Sequence, residues 1–366
     1  MKRIFKLLGI LLGLVVIVNF FWIVYKNASV ISTPVSIQSL QSLYNNSQYA
    51  QDPNNRKLWL DDPKLYTIAG YNYVKGTSPG KMNIEHPPFV KYLFGISTLA
   101  FGNPSIVQVV FAFGSIITLI FLTFKLTNNL FLSNFAGLLL VRDELFQQQV
   151  AIPMLDIGGL FFVLLSILLF EKSVKNPKLL LLFGIVQGLA VGSKTGIFIL
   201  PLVFLLYGVF FERKLLKNII FATLITFLTY LLLYFKVFLE SGITGFVDLN
   251  IDVVRLYRSY LPEYPWGEIW RLLITGNWRV WFWETEFVKV PEWSLIWPIG
   301  AVALFFSTLY LIKKKNLILF SILVWSWLYL ISSSTHVIFP RHLLLFLPFS
   351  YMLIVYCLNL LILRIK

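Results

Sequence analysis

The feature that most constrains the fold of this chain is a succession of long, nearly uncharged apolar runs. Of its 366 residues, 58% are hydrophobic and only 13% are charged. A soluble domain cannot bury that much apolar surface. The strands of a membrane β-barrel alternate in polarity, whereas these runs are continuous and rich in Leu, Ile and Phe. The sequence therefore predicts an all-α polytopic membrane protein, with residues 1–366 forming a single integral membrane domain.

The apolar runs predict about ten transmembrane helices. Several are shorter than the roughly 20 residues that cross a bilayer, which is tolerated where a helix lines a polar cavity or the bilayer thins. The first run has no clear small-residue cleavage site and is too long for a signal-peptide core, so we interpret it as a retained anchor. The predicted spans are 4–25, 104–125, 130–142, 154–170, 179–193, 197–211, 219–239, 294–312, 317–333 and 343–363.

The net charge of +14 reflects membrane topology and does not indicate a nucleic-acid partner. Most of the basic residues lie in short clusters between apolar runs, and with ten spans these clusters all fall on the side of the two termini. By the positive-inside rule that side is cytoplasmic. We therefore expect an integral protein of a prokaryotic plasma membrane, surrounded by membrane lipids, with both termini cytoplasmic.

The remaining connections are predicted to be external. They are 26–103, 143–153, a tight turn over 192–196, a long loop over 240–293, and 332–342. Within the first of them we expect two amphipathic helices, over about 62–75 and 87–101, the second following a diproline. The loop 240–293 is predicted to lie in the membrane interface because it is dense in tryptophan, which favours that depth. Its tryptophans are Trp266, Trp270, Trp278, Trp281, Trp283 and Trp293.

The connection 26–103 contains a polar segment, 62–91, between two apolar regions. It begins at Asp62, contains Tyr66, and ends Ile84-Glu85-His86-Pro87-Pro88-Phe89-Val90-Lys91. An ordinary connecting loop is one explanation. Neighbouring acids and cations on the same predicted face favour a site of chemistry or recognition.

Two acids are the first candidates for catalysis. Asp62 begins a predicted helix, and Asp156 lies at the external mouth of the fourth span. An ionisable group at the centre of a membrane helix costs about 2.5–3.5 kcal/mol on insertion scales, so such a group is a functional candidate. The alternative for Asp156 is a solvated helix cap.

Cations on the same face are candidates for binding a phosphate. Lys194 lies in the turn at 192–196, and Arg341 follows Pro340 at the start of the last helix, where a guanidinium can bind phosphate bidentately. A lysine that extends from the end of a short span to the membrane surface is the alternative for Lys194. The other predicted substrate-binding residues are Tyr66, His86, Lys91 and His342.

Together these groups predict a site for a lipid-linked phosphate substrate. The cations would neutralise a phosphate leaving group, and a carboxylate would take the proton of an attacking hydroxyl. No Gly-rich phosphate loop follows a strand, which disfavours a cytosolic nucleotide-sugar donor. A divalent metal held by Glu85, His86 and Asp156 is a weak prediction, since no His-x-x-x-His spacing occurs.

The motifs resemble those of the protein O-mannosyltransferases and of their bacterial relatives that use polyprenyl-phosphate sugars, including the aminoarabinose transferases. The resemblance covers about 60–200. It rests on Asp62, Glu85-His86-Pro87-Pro88 with Lys91, Met154-Leu155-Asp156, and Ser193-Lys194, with Pro340-Arg341-His342 as a C-terminal element.

This resemblance implies a GT-C glycosyltransferase fold with its active site on the external face. It also implies a single inverting displacement that moves a sugar from a polyprenyl phosphate, dolichyl or undecaprenyl, to a hydroxyl of a protein, a lipid or a cell-envelope glycan. Asp62 would be the base or position the acceptor. Glu85 and Asp156 would support the acceptor or a metal, and Lys194 and Arg341 would bind the lipid phosphate.

The first motif reads Asp62-Pro63 where family members often have Asp-Glu, and the Ser-x-Trp-Trp signature is missing from 240–293. The sugar and the acceptor therefore stay open. Two other functions also stay open. One is a flippase or transporter for lipid-linked sugars, which the nearly uncharged spans disfavour. The other is a non-catalytic scaffold.

Overall fold

The computed structural model describes residues 2–50, 52–259, 266–280, 286–311 and 315–365, which are almost entirely helical. The helices are α1 Lys2–Lys26, α2 Ala28–Ser32, α3 Ile37–Asn45, α4 Asp62–Val74, α5 Phe89–Phe101, α6 Ser105–Thr127, α7 Leu130–Arg142, α8 Glu144–Gln149, α9 Leu155–Lys175, α10 Leu180–Val191, α11 Leu200–Phe210, α12 Leu216–Leu233, α13 Phe235–Ser259, α14 Glu268–Thr275, α15 Ile296–Leu311, α16 Leu317–Ser333 and α17 Leu347–Ile365. Two short strands, β1 Asn277–Arg279 and β2 Phe287–Lys289, pair antiparallel with Trp278 opposite Val288.

A helix lies at each of the ten predicted spans, and α16 has the predicted bounds. Among the described residues, four stretches are long and apolar enough to cross a membrane by length and composition. They are Lys6–Lys26, Ser105–Thr127, Leu155–Lys175 and Arg213–Leu233. The other six predicted spans are apolar helices of 10–17 residues, shorter than a straight crossing requires. The all-α membrane architecture is thus confirmed, with four long spans and a set of shorter apolar helices.

Helix α9 lies at the centre of the bundle, and the first residues of α9 reach the functional site. In its apolar stretch 78% of the residues are buried, compared with 22% for α1 and 17% for the stretch that contains α12. Helices α6 and α10 pack on α9, and so does the 3-10 helix Pro340–Leu345 that precedes α17. The bundle therefore holds the N-terminus of α9 and the start of the last helical region against each other.

Helices α4 and α5 cross at two glycines. A Cβ atom on Gly70 would lie 1.9 Å from the Lys91 carbonyl oxygen, and one on Gly95 would lie 2.1 Å from the Gly70 carbonyl oxygen. Only glycine permits backbones to approach this closely. The crossing fixes the segment that starts at Asp62 against the segment that starts at Phe89.

The prediction that α4 is an amphipathic surface helix is wrong. Six consecutive residues, 65–70, are buried, so α4 is covered on all its sides over almost two turns. Buried α4 packs against α5 on one side and contacts α3 on another. Its N-terminal end, from Asp62 to Tyr66, reaches the site.

The tryptophans of 240–293, which are predicted to lie in the membrane interface, differ in their surroundings within the protein. Trp270, Trp278 and Trp293 donate their indole N–H groups to Ser334 Oγ, the Ile338 carbonyl and the Leu273 carbonyl. These three rings pack on the protein because each finds an internal acceptor there. Trp266 is 71% exposed. Trp281 and Trp283 lie outside the described residues.

Candidate active site

One cavity of about 1310 Å³ joins the connections that the sequence predicts to share a face. That volume exceeds the roughly 300–1,000 Å³ of an ordinary small-molecule pocket. Its wall is built from parts of 44–66, 80–86, 145–154, 194–198, 256–292 and 329–342. Each of the five predicted external connections contributes, so these loops do lie together.

A buried ion pair joins Lys194 to Asp156. The Lys194 ammonium donates to Asp156 Oδ1, and the two side chains are only 7% and 2% exposed. Asp156 lies in the first turn of α9, where the helix dipole favours a negative charge. Lys194 has an extended backbone between the end of α10 and the 3-10 turn Thr195–Ile197, which directs its side chain back across α9. Asp156 is therefore paired and buried, so the solvated-cap alternative does not hold.

A second ion pair, more accessible, joins Asp62 to Arg341. Arg341 Nη2 donates to Asp62 Oδ2, and the side chains are 28% and 26% exposed for Asp62 and Arg341. Asp61 caps α4 by accepting from the Lys64 backbone N–H, which fixes Asp62 as the first helical residue. The Arg341 guanidinium stacks over the Phe339 ring at 4.3 Å. Residues far apart in sequence thus meet at the cavity wall.

Lys91 is buried beneath the polar loop and is not among the residues that line the cavity. Its ammonium donates to the Asn83 carbonyl at 2.8 Å, to Asn83 Oδ1 at 2.9 Å and to the His86 carbonyl at 2.7 Å. These three bonds use all three ammonium protons. Burial lowers the pKa of Lys91 to about 7, and the nearby Glu85 carboxylate opposes that shift. Instead of contacting a substrate directly, as predicted, Lys91 holds the 83–86 loop in place.

His86 is held by two hydroxyl groups. Its Nδ1 lies 3.1 Å from Thr195 Oγ1 and 3.2 Å from the Tyr257 hydroxyl, and both hydroxyls also donate to the Glu85 carbonyl, at 2.8 and 3.0 Å. A carbonyl only accepts, so these bonds use both hydroxyl protons and leave Nδ1 as the donor. The tautomer that makes the most hydrogen bonds therefore carries its proton on Nδ1. Its Nε2 atom is then an acceptor, with no partner among the described residues.

His86 and His342, two of the predicted substrate-binding residues, both lie in the cavity wall. Burial, and then the neighbouring Lys194, lower the pKa of both imidazoles well below its ordinary value. Both rings line the cavity as neutral groups. Lys194 and Arg341 line the same cavity, and the charges of both act on the two rings.

Glu85 is the uncommitted carboxylate of the site. Its side chain lines the cavity and makes no hydrogen bond or ion pair with any residue in the described ranges. Burial raises the pKa of Glu85, and the negative charge of Asp62 raises it further. Ionisation of Glu85 is therefore less favourable in the folded protein than in water, as is common for acids at functional sites.

Tyr66 lines the same cavity as Asp62, Lys194 and Arg341. Its ring is 3% exposed and meets the His86 ring edge-on at 6.1 Å. Burial raises the pKa of Tyr66 far above its ordinary value, and Asp62, Arg341 and Asp156 all act on it. The phenol stays protonated, and its hydroxyl makes no hydrogen bond to any described residue.

The predicted metal triad is not assembled. Within the described ranges no three His, Cys, Asp or Glu side chains cluster as metal ligands. The Asp156 carboxylate is paired with Lys194, and His86 Nδ1 is engaged by two hydroxyls. Asp156 and His86 are therefore engaged by other partners, and Glu85 does not join them in a metal site.

Sequence reasoning missed Asn83, Thr195 and Tyr257, which order the 83–86 loop. Thr195 is adjacent to Lys194, so its position in the turn was a usable signal. Tyr257 lies in α13, more than 170 residues from the loop it contacts, and carries no local signal.

A family model of dolichyl-phosphate-mannose-protein mannosyltransferases matches residues 85–235. This segment is less than half of the chain. It includes the Glu85-His86-Pro87-Pro88 motif, Asp156 and Lys194. The resemblance inferred from those motifs is confirmed.

Solved structures with the same fold include two membrane glycosyltransferases. ArnT from Cupriavidus metallidurans, bound to undecaprenyl phosphate, matches with a TM-score of 0.62 at 13% identity, over 96% of this chain and 60% of ArnT. The archaeal oligosaccharyltransferase AglB from Archaeoglobus fulgidus, in complex with an inhibitory peptide and a dolichol-phosphate, matches with a TM-score of 0.52 at 14% identity. That match covers 99% of this chain and 51% of AglB.

These likenesses confirm the GT-C-type fold. This chain spans about 60% of the length of ArnT and about half of AglB. No curated protein matched the sequence.

Proposed function

We propose that this protein is a membrane glycosyltransferase that moves a sugar from a polyprenyl-phosphate donor to a hydroxyl acceptor. The observation that carries the proposal is the joining, in one cavity, of two cations with two acids on a GT-C scaffold. Lys194 and Arg341 supply positive charge, and Asp62 and Glu85 supply carboxylates in the cavity wall, while Asp156 is paired with Lys194. The cations would stabilise a phosphate leaving group, and a carboxylate would remove the proton from the attacking hydroxyl.

The lipid phosphate would bind against Lys194 and Arg341. Each makes one bond to a carboxylate, and neither makes another side-chain hydrogen bond with the described residues. An ammonium has three N–H donors and a guanidinium has five, so both retain donors for phosphate oxygens. The names of the matched ArnT and AglB structures, which hold undecaprenyl phosphate and dolichol-phosphate, support a lipid phosphate here.

Asp62 is the proposed base. Its Oδ2 atom accepts from Arg341, Oδ1 accepts no hydrogen bond from a described residue, and Asp62 lines the cavity. Glu85 would help to hold the acceptor, since its carboxylate is the other uncommitted acceptor in the wall. The sugar would be displaced in one step with inversion.

The site would lie on the external face of a prokaryotic plasma membrane, because the connections that line it alternate with the basic clusters. The acceptor would be a hydroxyl of a protein, a lipid or a cell-envelope glycan. Membrane lipids surround the bundle, and nothing in the site favours a nucleic acid.

Release of polyprenyl phosphate tests this function. The purified protein would be incubated with a panel of polyprenyl-phosphate sugars, with and without a membrane extract as acceptor. We expect release with at least one donor, and a large loss of release in Asp62→Asn. Asp61→Asn is the matched control, because Asp61 is the adjacent acid and pairs with Lys64 instead.

Three other outcomes would change the proposal. Release that Asp62→Asn leaves intact would keep the transferase but move the base to Glu85. No release from any donor, together with movement of the lipid-linked sugar across vesicles, would favour a flippase. No release and no movement, with Asp62 and Lys194 freely substitutable in cells, would favour a scaffold.

A further inference from the structure

The proposed base and one of the proposed phosphate ligands are bonded to each other. Arg341 Nη2 donates to Asp62 Oδ2, across 279 positions of sequence, and both side chains remain partly open to the cavity. The deeper pair, Lys194 with Asp156, is closed off almost completely. A partly open ion pair exchanges partners more readily than a buried one, because solvent and ligand can replace the lost contact.

We infer that Arg341 is shared between Asp62 and the lipid phosphate, and that it shifts from the carboxylate to the phosphate as the sugar is transferred. This inference rests on the proposed function. It adds a role that neither residue has alone: Arg341 links the protonation of the base to the departure of the leaving group.

The charges balance in such a step. The acceptor hydroxyl gives its proton to Asp62, and its oxygen forms a bond to the anomeric carbon. The bond from that carbon to the phosphate oxygen breaks, and its electron pair stays on the phosphate. Asp62 goes from −1 to neutral, the phosphodiester monoanion becomes a monoester dianion, and Arg341 stays positive. The summed charge of the three groups is therefore the same before and after transfer.

Both cations line one cavity, and so does Tyr66. The charges of both ion pairs act on this ring, since Asp62, Arg341 and Asp156 each influence the pKa of Tyr66. A phosphate between Lys194 and Arg341 would stay within reach of the guanidinium that also holds Asp62. The Phe339 ring lies 4.3 Å from the guanidinium, and contact with an aromatic face leaves the N–H donors at the guanidinium edge free for acceptors.

If Arg341 is shared, Asp62 competes with the released polyprenyl phosphate for the guanidinium. We would measure the binding of polyprenyl phosphate, the leaving group itself, to the full-length protein in detergent. Asp62→Asn should bind it about three- to tenfold more tightly than wild type, because the guanidinium no longer has a carboxylate partner. Asp61→Asn removes the same charge one residue away and should change the affinity less than about twofold.

A double-mutant cycle separates sharing from general electrostatics. In an Arg341→Gln background, Asp62→Asn should no longer tighten binding. If the same tightening persists without Arg341, it comes from the charge of Asp62 alone, and sharing is overturned. Sharing is also overturned if wild type binds polyprenyl phosphate and Asp62→Asn binds it no better.

The outcomes distinguish this inference from the proposed function. If no variant binds polyprenyl phosphate at all, the proposed donor class fails and the inference fails with it. Should Asp62→Asn fail to fold, as judged by its elution profile and thermal unfolding, Asp62→Ser is the substitute, since serine also removes the charge. The same tightening is expected from it.

Discussion

The site holds two ion pairs of a cation with an aspartate, and the two pairs differ in how deeply they are buried. In the deep pair, Lys194 and Asp156 are 7% and 2% exposed, at the N-terminus of the most buried helix. In the open pair, Arg341 and Asp62 are 26% and 28% exposed, and each belongs to a segment that lines the cavity. The deep pair cannot separate without leaving a charge in an apolar interior, whereas the open pair can exchange its partner for a ligand. One pair therefore anchors the site, and the other is available for chemistry.

The largest expected effect is a difference in protein stability between variants of the two ion pairs. Lys194→Met leaves the Asp156 carboxylate buried without a partner, and we expect it to lower the free energy of unfolding by about 3–5 kcal/mol. Arg341→Met should cost only about 0–1 kcal/mol, because water reaches Asp62. Thermal unfolding in detergent measures both.

The double variant Lys194→Met with Asp156→Leu is the control for the deep pair. It removes both charges and should recover most of the lost stability. A Lys194→Met protein as stable as wild type would show that the two ion pairs are equivalent and would break the comparison.

The second prediction concerns the rate of sugar transfer when the Asp62 and Arg341 pair is changed. Asp62→Asn should lower the transfer rate by about 10²–10⁴-fold, the usual contribution of a general base, while changing stability by less than about 1 kcal/mol. Single-turnover release of polyprenyl phosphate measures the rate. If the rate loss were matched by a similar loss of folded protein, the open pair would be structural as well.

The third prediction concerns the lysine beneath the loop. Lys91→Met leaves the Asn83 and His86 carbonyls without their donor, so we expect a loss of about 1–3 kcal/mol of stability. Transfer should also fall, because Glu85 and His86 lose their fixed position. Lys75→Met is the control, since Lys75 is an exposed lysine of the same connection. Equal stability of the two variants would contradict the role assigned to Lys91.

The smallest effect is linked to pH. The pKa of Glu85 is raised in the folded protein, so the folded state binds that proton more tightly than the unfolded state and gains stability as pH falls through the raised value. At pH 7 the ionised carboxylate therefore costs stability, and Glu85→Gln should be more stable by about 0.5 kcal/mol.

That gain should fade as pH falls from the raised pKa towards 4.5, the ordinary value for this group, and be absent below it. Thermal unfolding of both proteins at pH 7 and pH 4 measures the difference. A gain that is the same at both pH values would mean that the charge of Glu85 is not its source.

The sequence made the helices predictable, because apolar runs of the right length leave the backbone no other partner for its hydrogen bonds in a membrane. Helix α16 has the predicted bounds, and α1, α6 and α9 differ from their predicted spans mainly at their ends. The hydrophobic pattern did not predict that α4 is buried. Its burial depends on the close crossing of α4 and α5 at Gly70 and Gly95, which periodicity does not reveal.

The site was predictable as a set of residues and not as a set of contacts. Asp62, Asp156, Lys194 and Arg341 each stood out as charges near apolar segments. Nothing in the chain indicates that Arg341 reaches Asp62 or that Lys194 reaches Asp156, because those pairings depend on how the bundle folds. The tautomer of His86 also depends on Tyr257, which only the tertiary structure brings beside it.

A crystal structure of the protein with bound polyprenyl phosphate tests the central claim most directly. The account predicts the phosphate between Lys194 and Arg341, with the guanidinium turned from Asp62 to the phosphate oxygens and the Lys194 contact to Asp156 retained. A lipid phosphate bound elsewhere, with the Asp62 and Arg341 pair unchanged, would contradict it.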